Sequence, residues 1–260
     1  MITSNCPQIQ VTQQDKVLRV SLNRPERKNA LSLAMYAALA DVLQAAGQDR
    51  SLRVVVLEGS QGVFTSGNDL LDFMNEPDIH ESHPTVRFMT SLQNCPKPVV
   101  AVVQGHAVGI GTTLLLHCDL VYAAEDAKLQ LPFVNLGLCP EYASSYLLPR
   151  LMGQQKAAEL LLLGESFSGK EAAAMGFVNA AVPSLELAHF AEGKIQRLAS
   201  QPPAAVRLSK ALLKQTQQTA VNTALAAEFV GFAESLKSDE CRESVTAFFE
   251  KRAPDFSRFE

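Results

Sequence analysis

Two glycine turns and one solitary carboxylate are the residues of this chain whose types and spacing can do chemistry. Ser66-Gly67-Asn68-Asp69 and Gly109-Ile110-Gly111 each lie between an apolar strand-like run and a helix-forming segment. Glycine lets a backbone approach a ligand closely and take dihedrals closed to other residues. A strand that feeds such a turn into a helix presents unused backbone N–H groups, which suit an anion. Two of these groups from separate turns, aimed at one point, make an oxyanion hole. Either turn alone also reads as an ordinary tight turn. Glu141 is the only carboxylate between Asp126 and Glu159, with Cys139, Pro140, Tyr142 and Ala143 around it. In apolar surroundings its pKa would rise and it could act as a general base. Pro140-Glu141 equally suits the opening of a helix at about 143–150, where an acid meets the helix dipole.

Other chemistries fit less well. A dinucleotide fingerprint needs G-x-G-x-x-G and an acid on the next strand. Here the spacing is Gly105-x-x-x-Gly109-x-Gly111, and Asp119 comes too soon. His80 and His83 sit in a polar loop, where a metal would need further ligands. His106 lies in the second glycine turn, as a ligand contact or a packing residue. His117 and His189 fall in helical segments, and Cys118 and Cys139 read as small apolar fillers. Ser66, Ser144 and Ser145 lack a G-x-S-x-G elbow.

The elements that must position these residues follow from periodicity. Val17–Leu22 alternates as a strand. Ser32 caps a helix to about Ala46, with Gly47 as its stop. Arg53–Leu57 and Pro98–Val103 are continuous apolar strands, suited to a sheet buried on both faces. Between them lie the first glycine turn, a polar, mobile loop at 76–84 and a helix at 85–94. The second turn, Gln104–Gly111, leads to a helix over Thr112–His117 and a strand over Asp119–Ala123. Helices follow at 143–150, 154–163 and 168–174, then a β piece at Phe177–Val182. From Ser184 onward the chain reads as helix alone, at 184–200, 203–216, 219–236 and 239–251. Mixed strand–helix units followed by an all-helical tail favour crossover connections in the first part. The tail packs back on the core or on another subunit.

Composition sets the bounds. The chain has 260 residues, 47% of them hydrophobic, and a net charge of only −4. That suffices for a full core, and the absence of a basic block argues against nucleic acid as a partner. The five cysteines form no CxxC pair, so neither a disulfide framework nor zinc is expected. No apolar run reaches membrane-spanning length, and the N-terminal residues do not read as a secretory signal. A cytoplasmic protein with no membrane partner is the expectation.

Several short pieces recur in a known order. They are Asn23-Arg24-Pro25 with Asn29-Ala30-Leu31, Phe64–Leu70, Lys97–Ala101, Gly105-x-Ala107-x-Gly109, Cys118-Asp119, Leu136-Gly137, and Ala172-x-x-x-Gly176-Phe177-Val178. Each is weak alone. Together the chain resembles the crotonase (enoyl-CoA hydratase/isomerase) superfamily over essentially its whole length. The resemblance implies an α/β fold: a crotonase-like spiral of ββα units with a helical C-terminal region. Residues 1–195 would form the core with the active site, and 196–260 a trimerisation region, giving a homotrimer or dimer of trimers. It implies an acyl-CoA thioester as ligand. Coenzyme A would enter as part of the substrate, and no separate cofactor or metal is expected. The N–H groups of Asn68 and Ile110 would hold the thioester oxygen, with Ser66, Gly67, Asp69 and Gly109 shaping the two turns.

The resemblance also narrows the reaction. Hydratases of the superfamily carry two glutamates where this chain has Thr113 and Phe133. A branch that looks like the peroxisomal-type Δ3,Δ2-enoyl-CoA isomerases carries one, in the context Leu136-Gly137-Leu138-Cys139-Pro140-Glu141-Tyr142-Ala143-Ser144-Ser145. This makes Glu141 the leading catalytic candidate. Leu138, Cys139, Phe73 and Met74 would wall its pocket, and the 76–84 loop would gate the acyl end. Arg24, Lys28 and Lys251 are candidates for the coenzyme A phosphates.

Overall fold

The computed structural model describes residues 1–75 and 80–259, the side chains of 73–75 excepted. The chain opens with a hairpin of β1 (Ile9–Gln14) and β2 (Val17–Leu22). Its two turn residues, Asp15 and Lys16, both take positive φ, which matches the strand twist of a two-residue hairpin. Helix α1 (Leu33–Gln48) follows, capped by Ser32, whose Oγ accepts from the Met35 N–H. Next come β3 (Val54–Gly59), α2 (Leu70–Asn75), α3 (Pro84–Gln93), β4 (Val99–Val103), β5 (His106–Val108) and α4 (Ile110–Thr113). Then β6 (Leu120–Ala124), β7 (Lys128–Gln130), α5 (Ser144–Met152), α6 (Gln154–Leu163), β8 (Ser166–Ser168), α7 (Gly169–Ala174) and β9 (Ala180–Val182) complete the mixed part. The tail is α8 (Leu187–Ser200), α9 (Pro203–Gln215), α10 (Gln218–Ser235) and α11 (Asp239–Glu250).

Among the described residues the strands form a larger sheet, ordered β1-β2-β3-β4-β6-β9, and a smaller one, β5-β7-β8. From β2 onward the larger sheet is parallel. Its central strands are sealed on both faces: Val54, Val55, Val56, Val99, Val100 and Ala101 are fully buried. The chain passes from β4 to β5 and from β6 to β7, so each circuit leaves the larger sheet, turns a corner and enters the smaller one. This is the expected α/β spiral of ββα turns. α8 lies against β3, β4, β6 and β9, α10 against α5, and α11 against the 3₁₀ turn Val134–Leu136.

Several sequence expectations need correction. Gly47 does not stop α1, which runs one residue further to Gln48, with Asp49 as its C-cap. The glycine instead admits a neighbour, since a Cβ there would sit 3.1 Å from the Pro96 ring. The stretch read as one glycine turn, Gln104–Gly111, contains β5. The helix expected over Thr112–His117 is α4, starting at Ile110, followed by a 3₁₀ turn over Leu114–His117. The β piece expected from Phe177 is confined to Ala180–Val182. β1, β7 and β8 were not expected. Most important for the site, α5 starts at Ser144, so Pro140-Glu141 does not open it. The Phe73 and Met74 side chains and residues 76–79 of the expected gating loop lie outside the described residues.

Candidate active site

The two glycine turns are laced together edge to edge. The Thr65 N–H donates to the His106 carbonyl at 2.8 Å, and the Val108 N–H to the Thr65 carbonyl at 3.1 Å. Gly67, at φ 92°, fits because a Cβ there would lie 2.6 Å from the Val108 oxygen. Asn29, fully buried, fastens the first turn from behind. Its Nδ2 donates to the Val63 carbonyl at 2.6 Å, and its own carbonyl accepts from Thr65 Oγ1 at 2.7 Å. Thr65 Oγ1 in turn accepts the Gly67 N–H at 3.1 Å. Gly109, at φ 56° and ψ −120°, caps α4 with a backbone that only glycine takes readily. The N–H groups of Asn68 and Ile110 have no acceptor among the described residues. They are the two groups that the resemblance implies as donors to the thioester oxygen.

Glu141 is bonded to the second of these turns. Thr113, in the turn that Ile110 opens, donates its hydroxyl to Glu141 Oε1. Tyr36 of α1 donates its hydroxyl to Asn68 Oδ1 at 2.5 Å and feels the Glu141 charge, as burial and then that charge push its phenol far up. The carboxyl is therefore bonded to Thr113 of one turn, while its charge is felt by Tyr36, which bonds Asn68 of the other. Burial pushes the Glu141 pKa up to about 8; the Thr113 bond opposes the rise and the charge of Glu228 adds to it. A carboxyl so poised can exchange a proton near neutral pH, and N–H groups without an acceptor, as on Asn68 and Ile110, can receive an oxyanion.

The backbone after Glu141 is unusual. Tyr142 and Ala143 both take φ of 57°, left-handed for residues that carry a Cβ, at a cost of about 1 kcal/mol or more each. Tyr142 is held by its hydroxyl, which donates to the Met89 carbonyl at 2.6 Å, and by stacking on His117 at 3.7 Å between ring centroids. His117 Nε2–H donates to the Tyr142 carbonyl at 2.8 Å. Burial drives the His117 pKa down to about 3, so the ring is neutral.

The remaining expected residues are placed as follows. Ser66 Oγ donates to the Arg27 carbonyl at 3.3 Å, on the outside of the turn. Asp69 accepts from Arg24 at 2.7 Å and from the Leu71 N–H at 3.1 Å. Burial raises its pKa, but Arg24 and the Leu71 N–H outweigh that and hold it below the usual range. Arg24 is thus engaged inside the chain, with a second bond to the Ala30 carbonyl. Lys28 follows the 3₁₀ turn Pro25–Arg27, and Lys28 and Lys128 together depress the His106 pKa behind the larger effect of burial. Lys251 caps the C-terminus of α11. Leu138 is packed against the core just before Glu141. A cavity of about 600 Å³ lies apart from these residues, between α9 and the core. Its ammonium groups are already bonded: Lys210 to Asp119 and Lys214 to the carbonyls of Gln93 and His117.

Residues 12–258 match the family model described as Enoyl-CoA hydratase/isomerase. The chain belongs to the enoyl-CoA hydratase/isomerase family. Its relatives carry several activities. The Escherichia coli 2,3-dehydroadipyl-CoA hydratase is 35% identical, over 95% of this chain and 97% of that protein. The human enoyl-CoA delta isomerase 2 is 34% identical, over 94% of this chain and 63% of that longer protein. Among solved structures, Pseudomonas aeruginosa OdaA superposes with a TM-score of 0.91 at 45% identity, covering 94% of this chain and 99% of the other. Among the described residues, no helix of this enoyl-CoA hydratase/isomerase family member is long and apolar enough to cross a membrane.

Sequence reasoning missed three contributors to the site. Thr113 was noted only as a residue that is not an acid, yet it touches Glu141. Tyr36 fell inside the helix expected from Ser32 to about Ala46 and was not singled out. Glu228 lay in the tail, 85 positions from the Ala143 N–H that it accepts. Nothing in the local pattern marks any of them.

Proposed function

We propose that this chain shifts the double bond of a 3-enoyl-CoA to give the trans-2-enoyl-CoA. The observation that carries this reading is the setting of Glu141. It is buried, with a raised pKa, bonded to a neutral threonine where a hydratase would hold a second acid. The thioester oxygen sits between the Asn68 and Ile110 N–H groups. Ionised Glu141 takes a proton from C2, and charge spreads over the dienolate oxygen and C4. The two N–H donors stabilise that charge more than they stabilise the ground state, which lowers the barrier. Glu141, now protonated, returns the proton to C4 on the same side of the planar dienolate. Coenzyme A serves as the handle of the substrate, with Lys28 and Lys251 as candidate phosphate contacts, and no metal or redox group takes part.

Incubation with 3-hexenoyl-CoA should produce the absorbance of the conjugated 2-enoyl thioester. Glu141→Gln should lose that activity by about three orders of magnitude or more, an extent usual for removal of an essential proton carrier. Binding of the CoA ester should persist. Turnover by the variant close to that of the parent would sink the assignment. A second reading, hydration, is favoured by the similarity to the dehydroadipyl-CoA hydratase. It predicts a 3-hydroxyacyl-CoA from a 2-enoyl-CoA, and the Thr113 and Phe133 positions speak against it.

We also infer that the chain works as a trimer or dimer of trimers through residues 196–260. Leu208, Leu212 and Leu213 on α9, Val230 on α10, and Phe248 and Phe249 on α11 are exposed, and such a set is costly to leave in water.

A further inference from the structure

We propose that Glu228, on α10 in the helical tail, is a positioning residue for Glu141, its carboxylate holding the left-handed turn that aims the Glu141 side chain. The proposal rests on Glu141 being the base, as read above. A helix start leaves backbone N–H groups without partners, and α5 has no side-chain cap of its own. Glu228 supplies the acceptors from another helix. One oxygen takes the Ala143 N–H at 2.5 Å, and the other takes the Ser145 N–H at 2.9 Å and the Ser145 hydroxyl at 2.5 Å. The carboxylate thus does for α5 what Glu141 was suspected of doing, which leaves Glu141 turned the other way, toward Thr113.

The docking is close. Gly231, one turn on from Glu228, gives room for Cys139, whose Sγ lies 3.3 Å from where a Cβ would stand. The Cys139 thiol also points at the Glu228 carbonyl, at 3.7 Å. α10 therefore clamps both sides of the Glu141 segment. Two successive left-handed residues persist only when their surroundings over-determine them. Here the clamps are His117 and Met89 on Tyr142, and Glu228 on Ala143 and Ser145.

Glu228 also reaches Glu141 through its charge. The titratable groups facing Glu141 are Tyr36 from α1, Tyr142 and Cys139 from its own segment, and Glu228 from α10. Burial raises the two phenols and the thiol, which keeps them neutral. Glu228 has its own pKa raised by burial, against three donors that favour the ionised form. Its two backbone donors suit a carboxylate rather than an acid.

Glu228→Gln replaces one acceptor oxygen with an amide that faces an N–H, and it removes the charge. The variant should lose at least tenfold in kcat on 3-hexenoyl-CoA with KM within about threefold of the parent. The acid limb of its pH profile should move to lower pH. Parent kcat together with an unmoved limb would overturn the proposal, even if the melting temperature falls. A second measurement covers a variant that does not fold. In glutamate-labelled protein, the carboxyl carbon signal of Glu228 should carry an added inflection near pH 8, where Glu141 ionises beside an already charged Glu228, and that inflection should be absent in Glu141→Gln. A Glu228 signal in the parent with no inflection there would overturn the link between the two groups. This titration requires no turnover, so it stays decisive if the protein fails to isomerise 3-hexenoyl-CoA, an outcome that would count against the base reading alone.

Discussion

At the scale of single residues, Glu141 governs how the protein answers to pH. With its pKa near 8, roughly one free molecule in ten holds the ionised base at pH 7. The ratio kcat/KM should therefore climb about tenfold per pH unit below 8 and level off above it, which a rate profile from pH 5.5 to 9.5 will show. The Thr113 hydroxyl bonds the carboxylate and lowers this value. Thr113→Val should move the midpoint upward and cut the rate at pH 7 while leaving the plateau closer to that of the parent. A midpoint that stays or falls contradicts the assigned bond. The raised pKa has a thermodynamic counterpart. The unfolded carboxyl ionises near 4.5 and the folded one near 8, so the retained proton stabilises the fold fully below about 4.5. That contribution fades as pH rises through 8. Glutamine cannot ionise, so Glu141→Gln should gain stability relative to the parent on going from pH 5 to pH 9, on the order of a few kcal/mol. Calorimetry at the two pH values measures it, and an equal difference at both would refute it. The acid itself was visible in the sequence as a lone carboxylate. Its partners were not, because Thr113 is 28 positions away and meets it only once the spiral closes.

At the scale of elements, the site depends on two turns held in register. Gly109→Ala puts a Cβ on a backbone at φ 56° and ψ −120°, and relaxing that strain swings the Ile110 N–H off its line. Loss of one such donor is worth about a hundredfold in kcat. The pH midpoint should hold, since Glu141 is untouched, and a profile of the variant separates this from damage to the base. The turns were legible from glycine spacing, and the strands Val54–Gly59 and Val99–Val103 from the continuous apolar runs at Arg53–Leu57 and Pro98–Val103. The smaller sheet was not. β5, β7 and β8 have three residues each, too few to show a period of two. β5 was further hidden by the glycines on either side of it. The Tyr142–Ala143 turn carries no glycine, so nothing in its composition announces two left-handed residues.

At the scale of the whole molecule, the mixed α/β order and the helical tail were both legible, since long amphipathic segments keep their identity through tertiary packing. What the tail does was harder to read. α8 seals one face of the larger sheet and α10 seats the Glu141 segment, while α9 and α11 keep apolar side chains in water. Light scattering after gel filtration should give a mass near three or six chains. Leu213→Glu, at a side chain 75% exposed, should lower that mass if α9 lies in the interface. A monomeric parent would dismiss the assembly.

Glu228 enters the chain long after Glu141, and the bond between Glu228 and Ala143 spans 85 positions. As the protein is synthesised, the strands, both glycine turns and the acid all emerge before the carboxylate that bonds the segment following the acid. Until α10 arrives, the segment after Glu141 must hold two left-handed residues with only His117 and Met89 to restrain them. With Glu141 as the base, as proposed, competence for catalysis would be withheld from the growing polypeptide until α10 is made, although that helix would supply no reacting atom.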